Sequence, residues 1–201
     1  MYFCRMKFVW ILVCLAIGAI ACKSSKKAPE GQAIPMPVDE PVKPVFFPVT
    51  SFLEGQLTEI REKGLNPIRV MKQTDGREDS TWLKMEELPF ELKEFFQPRI
   101  DSAGMSNWFS EKSFMDESLG FITLTYERKS ELPDSIDLKE WTVYIDPETD
   151  KVNRIYIVRQ SGDSTRQLTW QAGKQCHIVH ILSPEGAKPV VQKDVYYHWD
   201  F

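Results

Sequence analysis

The stretch Trp141-Thr142-Val143-Tyr144-Ile145-Asp146-Pro147-Glu148-Thr149-Asp150-Lys151-Val152-Asn153-Arg154-Ile155-Tyr156-Ile157-Val158 holds two apolar-rich runs around a polar connection. Its β-branched and aromatic residues favour a pleated, half-buried surface, and the connection Asp-Pro-Glu-Thr-Asp-Lys has the chemistry of a turn. The stretch reads as an antiparallel hairpin. On its amino-terminal side, Phe121 to Glu127 alternates Phe121, Thr123 and Thr125 against Ile122, Leu124 and Tyr126. On its carboxy-terminal side come Arg166 to Trp170, Cys176 to Leu182 and Val190 to Phe201, parted by Gly173 and by Pro184-Glu185-Gly186. Consecutive short strands at this spacing pair as antiparallel neighbours. In the last of them Val195, Tyr197, Trp199 and Phe201 share one face, and Tyr196, His198 and Asp200 the other.

Upstream the pattern is helical. Leu53, Leu57 and Ile60 recur on one face, Ser51 and Glu54 have capping-box spacing, and Lys63-Gly64 supplies a stop. Asn66 to Met71 reads as a strand, Thr74-Asp75-Gly76 as a turn and Thr81 to Met85 as a second strand. Leu88 to Phe96 returns to helix-like spacing, closed by Pro98. The expectation is an α+β fold with helices packed on one face of a curved antiparallel sheet.

The chain has 201 residues, 42% hydrophobic and 27% charged, which is a globular composition. Residues 1–21 begin with Arg5 and Lys7 and continue as the uncharged run Phe8 to Ala21, a signal-peptide pattern too short for a confident span. Segment 22–45 carries prolines at 29, 35, 37, 41 and 44 without a periodic apolar face, and reads as an extended tether. Residues 46–201 are then a single domain, long enough to bury one core. The net charge is −4, and removal of 1–21 takes away basic residues only, which argues against a general nucleic-acid binder.

Gly18-Ala19-Ile20-Ala21-Cys22 resembles the lipobox of bacterial lipoproteins, with Ala19 where leucine is commoner. The resemblance implies a lipid-anchored Cys22 and a membrane partner; uncleaved-helix and ordinary secretory readings of 1–21 stand beside it. Lys23 at the following position implies retention at the outer membrane, on its periplasmic face, with the cell surface as the alternative. Once Cys4 and Cys14 leave with the signal and Cys22 carries lipid, Cys176 has no partner for an internal disulfide. The words Phe47-Pro48-Val49-Thr50-Ser51-Phe52, Asp79-Ser80-Thr81-Trp82-Leu83-Lys84 and Lys112-Ser113-Phe114-Met115-Asp116-Glu117-Ser118 resemble small Bacteroidetes lipoproteins of unassigned function. The order of helix and meander resembles PepSY-type and beta-lactamase-inhibitor-like folds.

Catalytic motifs are wanting. Cys176, His177 and His180 are close in sequence, but on a strand Cys176 and His180 point opposite to His177, and only His198 remains as a further histidine ligand. No metal or cofactor is implied. The acidic groups Glu86-Glu87, Asp116-Glu117 and Asp146, Glu148, Asp150 read as solvated surface or turn. Trp108, Phe109, Tyr196 and His198 are the candidate contacts for a ligand or an envelope protein, since aromatic side chains offer contact area at small entropic cost. The sequence therefore suggests a non-enzymatic envelope binding or structural protein; the alternatives are an envelope hydrolase whose carboxylates meet only in the fold, and an inhibitor of an envelope protein.

Overall fold

The computed structural model describes residues 45–73, 76–129 and 136–199. The signal segment, Cys22, the tether up to residue 44, Thr74-Asp75, Asp200 and Phe201 lie outside the described residues. Helix α1 (Val49–Glu62) leads into a hairpin of β1 (Ile68–Lys72) and β2 (Glu78–Trp82). Three single helical turns follow: α2 (Leu88–Glu91), α3 (Lys93–Phe96) and α4 (Ser102–Met105). Then come seven consecutive strands: β3 (Phe109–Asp116), β4 (Phe121–Arg128), β5 (Leu138–Ile145), β6 (Val152–Ser161), β7 (Ser164–Gln171), β8 (Gln175–Leu182) and β9 (Val190–His198). All join one sheet of order β2-β1-β9-β8-β7-β6-β5-β4-β3, antiparallel at every junction, and β2 and β3 are its open ends.

This overturns the α+β expectation, and with it the likeness to PepSY-type and beta-lactamase-inhibitor-like folds. The fold is β-rich: its frame is a single open nine-stranded sheet, and among the described residues the helices are one of four turns and three isolated turns. The physical reason lies in two segments. Leu88 to Phe96 breaks at Leu92 (φ −97°, ψ 10°) into two turns with Pro89 at the start of the first, because each lacks the length that makes a helix cooperative. Phe109 to Asp116 is an edge strand with only Phe109 buried, so no alternation announced it.

Helix α1 starts without a side-chain cap, at Val49 after Pro48. The expected capping box is absent because Ser51 and Glu54 are inside the helix, where both meet Arg99: Nη1 donates to Glu54 Oε1 at 2.7 Å and Nη2 to Ser51 Oγ at 3.2 Å. Thr50 Oγ1 accepts the buried Ile100 N–H at 2.7 Å. The stop is as the sequence suggests. Gly64 takes φ +66°, and the Leu65 N–H closes back onto the Ile60 carbonyl at 3.2 Å.

The buried cluster joins Val49, Leu53, Leu57 and Ile60 of α1 and Leu88, Leu92, Phe95 and Ile100 to one face of the sheet. Tyr126 stacks on Trp141 at 4.6 Å, Phe109 meets Trp141 edge-on at 4.7 Å, and Trp170 packs between Phe95 and Trp199 at 5.4 and 5.1 Å. We call this the covered face. Truncating Trp170, fully buried at the junction of helix and sheet, removes both aromatic contacts: Trp170→Ala is expected to cost about 3–5 kcal/mol in urea denaturation.

Candidate functional site

Cross-strand register sorts the polar residues into two arrays, one on each face. On the covered face, at the rim beyond the apolar core, Arg159, Arg166, His180 and Lys193 are successive Cα partners on β6, β7, β8 and β9. This basic row converges on two acids. Arg159, wholly buried, donates from Nη1 to Asp137 at 3.0 Å and from Nε to the Glu94 carbonyl at 3.2 Å. Arg166 also holds the Asp137 carboxylate. The Glu94 carboxylate receives His180 Nε2 at 2.9 Å, Lys193 Nζ at 3.4 Å and the Arg166 guanidinium at 3.7 Å. Glu94 lies on α3, so the network pins that turn to four strands. Its two carboxylates are each engaged by cations, which is the chemistry of a clamp and not of an acid–base pair. Nearby, Tyr197 Oη donates to Glu91 at 2.8 Å, and burial pushes this phenol well up.

The opposite face carries no described helix, and we call it the open face. Its residues follow the same register in rows. One row runs Lys112, Thr125, Thr142, Tyr156, Thr169, His177, Tyr196, Val70, Ser80 from β3 across to β2. The adjacent row is Phe114, Thr123, Tyr144, Arg154, Gln171, Gln175, His198, Ile68, Trp82. Threonine, tyrosine, glutamine and histidine dominate. Towards β9 the rings stack on one another: His177 on Tyr196 at 3.8 Å and Tyr196 on His198 at 5.7 Å, each pair within 9° of parallel. His177 Nε2 is bonded to Asp194 at 2.7 Å, and the Lys72 ammonium sits 4.8 Å from the Tyr196 ring. At the middle of the sheet the Arg154 guanidinium lies 4.3 Å from the Tyr144 ring.

A third feature sits where β1 and β9 part. Their pairing ends at Met71 opposite Val195, while β9 runs on through a bulge beside Lys193. The gap is a hollow of about 340 Å3 lined by Met71, Lys72, Gln73 and residues 191–194.

The structure separates the sequence candidates. Tyr196 and His198 are together on the open face. Phe109 is fully buried against Trp141, where it packs in the core, and Trp108 is half-buried against the core cluster. Phe109 opens β3. Cys176 and His180 face the covered side and His177 the open side, as alternation requires, and burial pushes the Cys176 thiol well up. Among the described residues no three histidine, cysteine or acidic side chains converge to hold a metal ion. The acidic candidates are turn formers: Asp116 accepts the Ser118 and Leu119 N–H groups, and Asp146 those of Glu148 and Thr149. The hydroxyl of Ser118, with these amides, holds the Asp116 carboxyl below its ordinary range. Sequence reasoning missed Tyr144, Arg154 and Tyr156, although the alternation of 152–158 already set Arg154 and Tyr156 opposite Ile155 and Ile157. Compared with known proteins, the chain matches no family model, no curated protein and no solved structure.

Two expected outcomes test the covered-face network. Arg159→Met leaves carbonyls and a carboxylate without their buried donor and is expected to cost about 3 kcal/mol in urea denaturation. Burial lowers the affinity of His180 for a proton, the Glu94 charge opposes this, and Lys193 and Arg166 lower it further. Below the ordinary value of about 6.5 the unfolded chain therefore binds a proton that the folded chain resists, and stability falls with pH. Between about pH 7.5 and pH 5.5, His180→Gln is expected to lose less stability than the wild type.

Proposed function

We propose that the protein is a non-enzymatic, lipid-anchored component of the bacterial cell envelope, of the kind its resemblance to small Bacteroidetes lipoproteins implies. In this reading Cys22 carries the lipid at the periplasmic face of the outer membrane, and the sheet binds another envelope component. The observation that supports binding is the open face: nine strands of hydroxyl, amide and aromatic side chains with no described element packed over them. Such a surface offers many directed hydrogen bonds and ring contacts but few aliphatic groups that would need drying. Among the described residues no helix is long and apolar enough to cross a membrane. The covered-face carboxylates, each bound to cations, lend no support to a hydrolase.

The test has two parts. Mass spectrometry of the protein purified from membranes is expected to find an acylated amino-terminal Cys22, and Cys22→Ser to release the chain from the membrane fraction. A photo-crosslinking residue at Gln167, on the open face, is expected to capture an envelope component in cells, and one at Glu62, at the end of α1, is not. Unmodified Cys22 sinks the anchor; equal capture from both positions sinks the binding face.

A further inference from the structure

The centre of the open face holds a charge that no acid among the described residues neutralises. Arg154 is half-buried between Tyr144 and Gln171, its Cα partners on the two flanking strands. Its Nε is buried and has no hydrogen-bond partner, and among the described residues the guanidinium forms no ion pair. Its contact is the Tyr144 ring, which orients the guanidinium plane without using its N–H donors. Across Tyr144 in the same row, the Thr123 hydroxyl is also buried and unbonded. Two residues along β6 stands Tyr156, half-buried between Thr142 and Thr169, its ring stacked on no described aromatic neighbour. Other charges of this face are engaged: Lys112 with Glu127, Asp194 with His177, and Lys72 with Glu78 and the Tyr196 ring. Glu140, the Cα partner of Val158 one step beyond Tyr156 on the same face, forms no ion pair among the described residues.

A half-buried guanidinium whose N–H donors meet no described acceptor is matched by an oxyanion that can accept two parallel hydrogen bonds from its two terminal nitrogens. The groups around it set the rest of the ligand. They are the Tyr144 and Tyr156 rings, the half-exposed Thr169 hydroxyl and the Gln171 amide, whose Oε1 already accepts from Gln175 and whose NH2 remains to donate. They spread over three strands and two residues, a patch roughly 10 Å by 7 Å. This is the footprint of a pyranose ring with its substituents. A dry protein interface would want an apolar centre instead, with its charges at the rim.

We propose that Arg154 and Tyr156 form a saccharide platform for a sugar bearing an oxyanion, carboxylate or phosphate. Arg154 receives the oxyanion, Tyr156 stacks on the ring, and Thr169 and Gln171 meet its hydroxyls. The proposal rests on the reading of the open face as a binding surface and names what that surface binds.

The test uses the full-length chain in detergent micelles and a panel of oligosaccharides carrying uronic acid, sialic acid or sugar phosphate, each paired with its neutral parent. At least one acidic member is expected to bind tenfold or more tightly than its neutral parent. The carboxylate and phosphate arms show which oxyanion is taken. Arg154→Gln is expected to lose about tenfold or more in affinity for the acidic ligand, with little change toward the neutral one, because the charge-assisted pair is gone. Arg154→Lys keeps the charge without the fork and falls between, and Tyr156→Ala weakens both ligands alike. The thermal midpoint of each variant, measured alongside, shows that the sheet is intact. No preference for any acidic saccharide, equal binding by Arg154→Gln, or displacement only by an acidic peptide overturns the proposal. If capture from Gln167 in cells survives Arg154→Gln, the platform is wrong while the open face still binds; if wild-type chain captures nothing there, the binding reading itself falls.

Discussion

One four-turn helix and three isolated turns carry enough apolar side chains to dry one face of a nine-stranded sheet, and the architecture follows from that shortage. Val49, Leu53, Leu57 and Ile60 meet a floor of large rings, Tyr126, Trp141, Trp170, Tyr197 and Trp199, all at most 1% exposed. Wide aromatic side chains let few helical residues seal a broad sheet. The opposite face must then be stable in water, and its threonines, glutamines and tyrosines satisfy that constraint through cross-strand pairs.

The covered face reaches its limit at the row of Arg159, Arg166, His180 and Lys193. Here the apolar core ends and the sheet continues, so the side chains that project from four neighbouring strands must be polar yet cannot all be fully hydrated. Glu94 and Asp137 resolve this by meeting several cations each, and Arg159 adds bonds to the Glu94 and Pro98 carbonyls. Such a cluster contributes less to net stability than its count of bonds suggests, because every buried charge costs desolvation. What it gives is position. It ties the α3 turn, too short to stand alone, to a fixed place over the sheet.

The two polar arrays thus differ in kind. Under α3 the cations are answered by acids from the same chain, and the network closes on itself. At the centre of the open face Arg154 meets the Tyr144 ring, and among the described residues no acid answers its charge. That asymmetry distinguishes a clamp from a surface that can accept something.

Much of this was legible in the residues. Period-two alternation around Asp146-Pro147-Glu148-Thr149-Asp150-Lys151 announced the central hairpin, and the faces of Val195, Tyr197 and Trp199 against Tyr196 and His198 were readable for the same reason. The helix over 49–62 and its glycine stop were equally local. Strand β3 was not, because an edge strand with one buried residue has no periodic signal. Nor was the break of 88–96 into separate turns, since the spacing of Leu88, Leu92 and Phe95 suits a helix whether or not it is continuous. By itself the sequence determined which side chains share a face within each strand, because that depends on neighbouring residues alone. Only the tertiary structure decided that Arg159, Arg166, His180 and Lys193 fall in one row, that Glu94 from a distant turn and Asp137 meet it, and that Arg154 has no such acid among the described residues. Those facts depend on register between strands and on which helical turn reaches which face, and neither is encoded in the spacing of any one segment.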